Sequence, residues 1–296
     1  MRIEEVEKAV PKDDEVLIKI HASAVNSSDC FVRSGIRSAP LLMRLMMRTV
    51  VGFTRPRRRI LGLVLAGEIE ETGVAVRRFR MSDRVYAFTK FRFGGHAQYT
   101  CLPETSTLGI SPSNLSYEEA AAIPFGGLLA LHYLRKGNIR SGQRVLIHGA
   151  SSAVGTSAVQ LAKLFGTEVT AVCGTTNLEL VRSLGADAAI DYMQEHTLSG
   201  GTLYDLALDA VGKRKTSRLK VACQKALAPG GRYVSVDDGM PKLPASDIAL
   251  LKEALEAWKV RPIIDRRYPL AQIAEAHRYV ELGHKTGNVI VTVSHE

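Results

Sequence analysis

Hydrophobic and polar positions change rhythm partway along the chain. From Glu15 to about Pro112 the apolar residues come in short alternating runs. These are Glu15-Val16-Leu17-Ile18-Lys19-Ile20-His21, Ala66 to Thr72, Asp83-Arg84-Val85-Tyr86-Ala87-Phe88, and His96-Ala97-Gln98-Tyr99-Thr100. Gly62, Gly67, Gly73, Gly94 and Gly95 punctuate them. Short strands broken by glycine turns predict a compact, barrel-like β domain.

From about Ser116 the period lengthens. Tyr117-Glu118-Glu119-Ala120-Ala121-Ala122-Ile123 opens a helix, with Ser116 at its N-cap and Glu119 three residues on, a capping box. Buried-strand patterns then alternate with helical ones. Strands are predicted at Arg144 to His148, Glu168 to Cys173, Ala188 to Asp191, Asp205 to Ala210 and Gly231 to Val236. Helices are predicted at Thr156 to Phe165, Leu178 to Leu184 and Ser217 to Leu227. This βαβ order calls for a parallel sheet covered on both faces. A further helix runs from Asp247 to about Trp258, and Asn288 to Val293 forms a strand that returns to the first domain. The layout is therefore a β domain over 1–115, completed by 261–296, and a parallel α/β domain over 116–260.

Composition adds limits. At 296 residues and 46% hydrophobic content, the chain can bury the cores of two domains. No apolar run approaches the roughly 18 residues of a membrane span, and the charged Met1 to Lys8 segment contains no signal core, so a cytoplasmic protein without a membrane partner is expected. Cys30, Cys101, Cys173 and Cys223 form no CxxC pair and read as isolated thiols. Much of the net charge of +9 comes from Arg44 to Arg59, including Arg48, Arg55, Arg57 and Arg58. Such a cluster suits a phosphate backbone, a solvated loop or an anionic cofactor; no nucleic-acid motif accompanies it, which argues against nucleic acid as a partner. The neighbouring Leu41 to Met47 segment fits a methionine-rich flap, a core helix or a membrane-surface segment.

The most informative stretch is Val145-Leu146-Ile147-His148-Gly149-Ala150-Ser151-Ser152-Ala153-Val154-Gly155-Thr156. A strand runs through a tight turn of small residues into a helix. Small side chains such as Ala150 let a backbone approach a diphosphate, and the open N–H groups at the helix start can hold it. Ser151 and Ser152 can add hydroxyl donors. An ordinary strand-to-helix turn has the same appearance, since the GxGxxG spelling is absent. The next strand ends Val172-Cys173-Gly174-Thr175-Thr176-Asn177, with no carboxylate to repel a 2′-phosphate and with Thr175, Thr176 and Asn177 as donors. NADPH is therefore preferred over NADH. Asn177 also reads as an N-cap for the following helix.

These segments, with Val25-Asn26-Ser27-Ser28-Asp29, Gly62 to Gly67, Ser183-Leu184-Gly185-Ala186-Asp187, Ile190-Asp191-Tyr192, Asp209-Ala210-Val211-Gly212, Pro229-Gly230-Gly231 and Gly287-Asn288-Val289, resemble the medium-chain dehydrogenase/reductase superfamily in its zinc-independent, quinone-oxidoreductase-like branch. The likeness runs from about Val6 to Val293. It implies a GroES-like β-barrel domain beside a doubly wound Rossmann sheet, and cofactor contacts from Ser151, Ala153, Val154, Gly174, Thr175, Tyr192, Val211, Gly212 and Asn288. Zinc-dependent relatives place a cysteine before Gly-Thr-Asp and follow with Gly-His-Glu. This chain has Asn26 and Leu63-Val64 there, and no zinc is expected, because an amide and apolar side chains cannot replace thiolate and imidazole.

Without a Lewis acid, alcohol oxidation is hard, whereas hydride transfer to an electron-poor carbon is not. The sequence thus predicts an NADPH-dependent oxidoreductase that reduces a small molecule: a quinone, an enone or a related activated carbonyl compound. Two other readings stand beside it: a catalytically weak NADPH-binding redox sensor or RNA-binding protein, and a small-alcohol dehydrogenase. Asn26 reads either as the residue that orients substrate or nicotinamide ribose, or as a turn residue capping Ser28 or Asp29. Tyr86 and His96 are weaker candidates, since lone aromatics in β domains are mostly structural. Three departures from the family are expected to matter. A strand hairpin that relatives carry before Val6-Glu7-Lys8 is expected to be missing here, or the start codon to be misassigned. Leu129 replaces a common threonine, and Asp237 to Ser246 is too short to hold a sixth Rossmann strand. A five-stranded core is predicted, with the family-type homodimer altered or absent.

Overall fold

The computed structural model describes residues 1–34, 59–194, 201, 203–212 and 218–295. Apart from Arg59, the basic Arg44 to Arg59 stretch and the Leu41 to Met47 segment lie outside these residues. Two compact units are present, Met1–Phe125 with Ile264–Glu296, and Gly126–Ile263.

The first unit contains β1 (Glu15–Val25), α1 (Ser27–Arg33), β2 (Val64–Thr72), β3 (Arg84–Phe88), β4 (Tyr99–Pro103), β5 (Thr107–Ile110) and α2 (Tyr117–Ala121). The chain comes back at its C-terminal end as β11 (Ile264–Pro269), α8 (Ile273–Glu281) and β12 (Asn288–Thr292). The sheet runs β11-β12-β1-β2-β3-β5, with β4 also on β1. One side of β1 is taken by β2, while the other is shared: Glu15 to Lys19 pair with β4, and Ala22 to Val25 pair with β12. Register shifts at Leu17/Ile18 and Ile20/Ala22 bend the strand between those neighbours. Val16, Ile18, Ile20, Leu65, Ile69, Val85, Leu102 and Leu108 fill the centre of this unit. A second cluster joins Val25 and Cys30 to Ile273, Ala276, Val280, Val289 and Val291, so the C-terminal return supplies a layer of core and not merely an edge strand.

Two sequence-based boundaries need correction here. The helix opened by Ser116 forms as expected, with Ser116 Oγ accepting from Glu119 N and the Glu119 carboxylate accepting from Ser116 N. However, its buried Ala120 and Ala121 pack on β1, β2 and β3, so the first unit extends to Phe125 and not to 115. The strand expected at His96 to Thr100 starts only at Tyr99. The residues before it wrap against Gly62 instead: Gly95 N donates to Gly62 O at 3.0 Å and His96 N to Leu61 O at 2.9 Å. A β-carbon on Gly62, whose φ is +104°, would lie 2.4 Å from His96 N.

The second unit is made of α3 (Pro124–Lys136, entering from the first unit), β6 (Arg144–His148), α4 (Ala153–Leu164), β7 (Glu168–Cys173), α5 (Leu178–Ser183), β8 (Ala188–Asp191), β9 (Tyr204–Asp209), α6 (Arg218–Lys225), β10 (Leu227–Ser235) and α7 (Ala245–Glu256). Its sheet is parallel throughout, in the order β10-β9-β6-β7-β8. Five strands are present among the described residues, as the short Asp237 to Ser246 connection requires. Val145, Leu146, Ile147, Val169, Val172, Leu206 and Leu208 are fully buried, the continuous apolar strands of a sheet covered on both faces. β10 starts at Leu227, before the expected Gly231: Leu227 pairs with Tyr204, and a register shift before Arg232 accommodates Pro229-Gly230-Gly231. α4 starts at Ala153 and not Thr156, because Ser152 caps it. Among the described residues, no helix is long and apolar enough to cross a membrane.

Candidate active site

In the parallel unit, β6 sits centrally and pairs with both β7 and β9. The chain winds one way from β6 through β7 to β8 and the other way through β9 to β10. The carboxyl end of β6 is therefore the switch point where such sheets receive ligands. The turn there is built by close packing. Gly149 has a φ of +78°, and a β-carbon on it would meet Val211 Cγ2 at 2.4 Å. Ser152 Oγ accepts from Gly155 N at 3.0 Å, while Ser152 O takes Thr156 N at 2.8 Å. The amides of Ala153 and Val154 are the first-turn donors a helix leaves open. Ala150 is fully buried beneath them, and Ser151 is part-exposed. α4 is 12 residues long, long enough for its N-terminal dipole to favour an anion. A diphosphate fits this cradle: small side chains, open amides and a helix start share one end of the sheet.

The remaining predicted residues of this unit gather at the same edge. Gly174 follows β7 in extended conformation, and a β-carbon there would stand 3.3 Å from the Tyr192 hydroxyl oxygen. Thr175 is not the free donor expected from the sequence. Its hydroxyl donates to Asp191 Oδ2 at 2.5 Å, which leaves Thr175 Oγ1 only as an acceptor. β7 itself ends without an acid, but the next strand supplies Asp191, buried and also engaged by Met193 N at 2.9 Å. Asn177 occupies the N-cap position of α5, and its side chain makes no capping hydrogen bond there.

Val211 and Gly212 are held by a buried network that the sequence did not disclose. Asp209 Oδ1 accepts from Val211 N at 3.1 Å, Gly212 N at 3.2 Å and His148 Nδ1 at 3.2 Å. Its Oδ2 accepts from Tyr233 Oη at 3.0 Å and Ser235 Oγ at 3.3 Å, and pairs with Lys220 Nζ at 2.7 Å. Lys220 Nζ also donates to Gly212 O at 2.7 Å. Burial alone would push the Asp209 carboxyl up, but the His148 and Lys220 donors outweigh it and hold the group well below the usual carboxylate range. His148 and Asp209 stand at strand ends, a position that could have flagged them. Lys220 lies beside the core residues Leu219 and Cys223 on a helix face that reads as ordinary.

The first unit holds Asn288 and Asn26. Asn288 starts β12 opposite Ile264 and is buried. Asn26 caps α1: its Oδ1 accepts from Ser28 N at 2.9 Å and Asp29 N at 3.2 Å, and Asn26 N donates to Asp29 Oδ2 at 3.0 Å. The turn-capping reading is thus correct for the amide oxygen. Its Nδ2 is buried close to the Asp29 carboxyl, with no acceptor in good hydrogen-bond geometry. Asp29 Oδ1 accepts from Leu63 N at 3.1 Å. Burial raises the Asp29 carboxyl to about 7, against the lowering pull of the backbone donors of Asn26, Leu63 and Gly62 and of the Asn26 side chain. The donors at the zinc-ligand positions do not fit zinc. The Asn26 oxygen is committed to the helix cap, and Leu63 is a buried apolar side chain. Among the described residues no group of three or more His, Cys, Asp or Glu is arranged around a metal position. Tyr86 is fully buried on β3.

Comparisons with known proteins agree with this architecture. Residues 12–124 match the alcohol dehydrogenase GroES-like domain, and residues 153–255 match the zinc-binding dehydrogenase family. The chain is 30% identical to the NADPH-dependent alkenal/one oxidoreductase of Arabidopsis thaliana, over 95% of this chain and 72% of the relative. It is 32% identical to a quinone-oxidoreductase homolog of Spinacia oleracea, over 98% of this chain and 93% of the relative. Among solved structures, the quinone oxidoreductase of Coxiella burnetii superposes with a TM-score of 0.80 at 25% identity, covering 98% of this chain and 93% of that one. A GroES-like β domain, a Rossmann sheet and these relatives together make the chain a member of the medium-chain dehydrogenase/reductase superfamily, in its quinone-oxidoreductase-like branch.

Proposed function

We propose that this protein is an NADPH-dependent, metal-free reductase of small electron-poor carbonyl compounds, enones and quinones above all. The observation that carries the reading is Asn26 Nδ2, buried beside the Asp29 carboxyl with no acceptor in good hydrogen-bond geometry. The capping box of α1 fixes the plane of that amide through its oxygen, so its N–H₂ is an oriented donor in a dry setting. Such a donor polarises a carbonyl oxygen and stabilises the charge that grows on it as the conjugated carbon is reduced. The names of the Arabidopsis and spinach relatives support enone and quinone substrates.

Reduced nicotinamide dinucleotide supplies the hydride. For an enone, that hydride enters the β-carbon, the electron pair of the double bond moves toward the carbonyl, and a solvent proton completes the α-carbon. The chain's own residues bind and orient. Ala150 to Val154 cradle the diphosphate, and the Asp209 network sets the Val211-Gly212 turn. Asn26 holds the carbonyl oxygen. With Asn26 and Leu63 at the ligand positions, no step needs zinc. NADPH is preferred on the name of the Arabidopsis relative and on the absence of an acid at the end of β7; Thr176 and backbone donors would face a 2′-phosphate, with Thr175 committed to Asp191.

The test is direct. NADPH oxidation is followed with 2-cyclohexenone and with 1,4-benzoquinone, each with and without a strong chelator. Turnover unchanged by chelator is expected. Absence of turnover with both acceptors, or activity abolished by chelator, sinks the reading.

A further inference from the structure

In the second unit, Asp209 pins two separate stretches of chain at the same end of the sheet. Its Oδ1 accepts from Val211 N and Gly212 N. Its Oδ2 accepts from Ser235 Oγ, and that Ser235 oxygen in turn accepts from Asp237 N at 3.3 Å. The turn after β9 and the segment after β10 are therefore fixed against each other. Further bonds hold the second stretch. Val236 N donates to Asp209 O at 3.0 Å, Tyr133 Oη to Val236 O at 2.7 Å, and Gly239 N to Asp237 O at 2.9 Å.

The two stretches meet at Gly212. Its φ is +75°, and a β-carbon there would lie 2.5 Å from Asp237 Oδ2 and 3.2 Å from Oδ1. Only glycine lets the carboxylate settle onto this backbone. Asp237 is an exposed residue, so its charge stands at the rim of the sheet and not in its core. The neighbouring Asp238 is placed differently: its Oδ2 accepts from Ser235 N at 2.9 Å and stands 3.9 Å from Lys136 Nζ. The position of Asp237 relative to a bound dinucleotide follows from the topology. With the diphosphate at the turn after β6, the adenosine arm runs toward β7, whose end is the ribose-contacting position of such sheets. The nicotinamide arm then runs the other way, toward β9 and β10, where Val211, Gly212 and Asp237 lie.

Building on the reductase reading, we propose that Asp237 faces the nicotinamide ring and makes the site discriminate by the charge of that ring, holding NADP⁺ more tightly than a neutral residue would. The reduced ring is neutral, and the oxidised ring carries one positive charge. A carboxylate fixed beside it attracts the oxidised form alone, and it favours the charge that grows on the ring as hydride leaves. In a solvent-accessible setting, such an attraction at contact range is worth about tenfold in binding. The same charge makes the oxidised product a stronger inhibitor of the next turnover.

The test compares the dissociation constants of NADPH and NADP⁺ by calorimetry. Adenosine, phosphates and riboses are common to the two forms, so the ratio of the constants reports the ring. Asp237→Asn keeps the size of the side chain and removes its charge. It should weaken NADP⁺ about tenfold and leave NADPH within about twofold of wild type. Asp238→Asn, one residue on, should leave the ratio unchanged. An unmoved ratio in Asp237→Asn, an equal loss of both forms, or the same shift in Asp238→Asn overturns the inference and leaves the reductase reading standing. Should Asp237→Asn not fold, the wild-type ratio is measured from about 0.02 M to about 0.5 M salt, which screens an exposed carboxylate. The ratio should then widen against NADP⁺, and a constant ratio overturns the inference. Binding of neither form to the wild-type protein sinks the reductase reading itself.

Discussion

Gly155 and Gly149 meet so closely that a β-carbon at position 155 would stand 2.2 Å from the Gly149 carbonyl oxygen. The approach brings the first turn of α4 down onto the end of β6. Gly155→Ala must push the helix away or break the turn, since the obstacle is backbone and cannot rotate aside. NADPH affinity is expected to fall at least tenfold, measured by fluorescence titration, alongside a loss of about 1–3 kcal/mol in stability from the overpacking. Unchanged affinity would mean that the diphosphate is not held at this turn.

Asn26 serves two purposes through two atoms, and substitutions can separate them. Asn26→Asp keeps an oxygen to cap α1 but replaces the donor with a second acceptor beside Asp29. Asn26→Ala removes both. The aspartate variant should retain more of its thermal stability than the alanine variant, whose lost cap is worth about 1 kcal/mol. Both should lose 10²-fold or more in kcat with cyclohexenone, the scale on which removal of one oriented donor is felt. If Asn26→Asp retains wild-type kcat, the amide hydrogen plays no part in the reaction.

Much of this arrangement was legible from residue pattern alone, and the exceptions have physical reasons. The strand Glu168 to Cys173 and the Ser116–Glu119 cap were readable because local chemistry determines them. The small-residue turn after β6 was readable because its spacing is dictated by backbone approach. Asp191 escaped because its partner Thr175 is 16 positions away and the contact exists only once β7 and β8 pair. Lys220 escaped for the same reason: nothing near it in sequence marks a buried cation, and Asp209 reaches it only across the fold. The placement of α2 was misread because its cap says where a helix starts, not which sheet its alanines cover.

The Lys220–Asp209 pair should behave as a coupled unit. Lys220→Met leaves a buried carboxylate short of its cation and frees the Gly212 carbonyl, at a cost of about 3 kcal/mol in urea unfolding. Asp209→Asn strands the lysine at a similar cost. Since each single change exposes the other partner, the double variant should be clearly less destabilised than the sum of the two. Additive costs would show that the two residues act independently. Because its folded pKa is depressed, ionised Asp209 stabilises the fold above the ordinary aspartate range, and that contribution disappears as pH falls through and below it.

His96 gives the fold an opposite kind of acid sensitivity, one that begins nearer neutrality. Its folded pKa is lowered by burial to about 3, while the unfolded chain titrates at the ordinary histidine value of 6.5. Below that value the unfolded state binds a proton that the folded state refuses, so stability declines as pH falls from 6.5 toward 3 and is at full strength above 6.5. One such group contributes a slope of at most about 1.4 kcal/mol per pH unit. His277, lowered to about 4, contributes in the same direction. Unfolding free energies measured between pH 5 and pH 7.5 should therefore rise more steeply for the wild-type protein than for His96→Phe, which has no ring proton to gain. The variant will have a lower plateau from its lost 3.1 Å contact between His96 Nδ1 and Ser23 Oγ, but it is the slope, not the plateau, that reports the neutral imidazole. Parallel curves for the two proteins would show that His96 accepts a proton within the folded state, and its Nε2 would then be a donor.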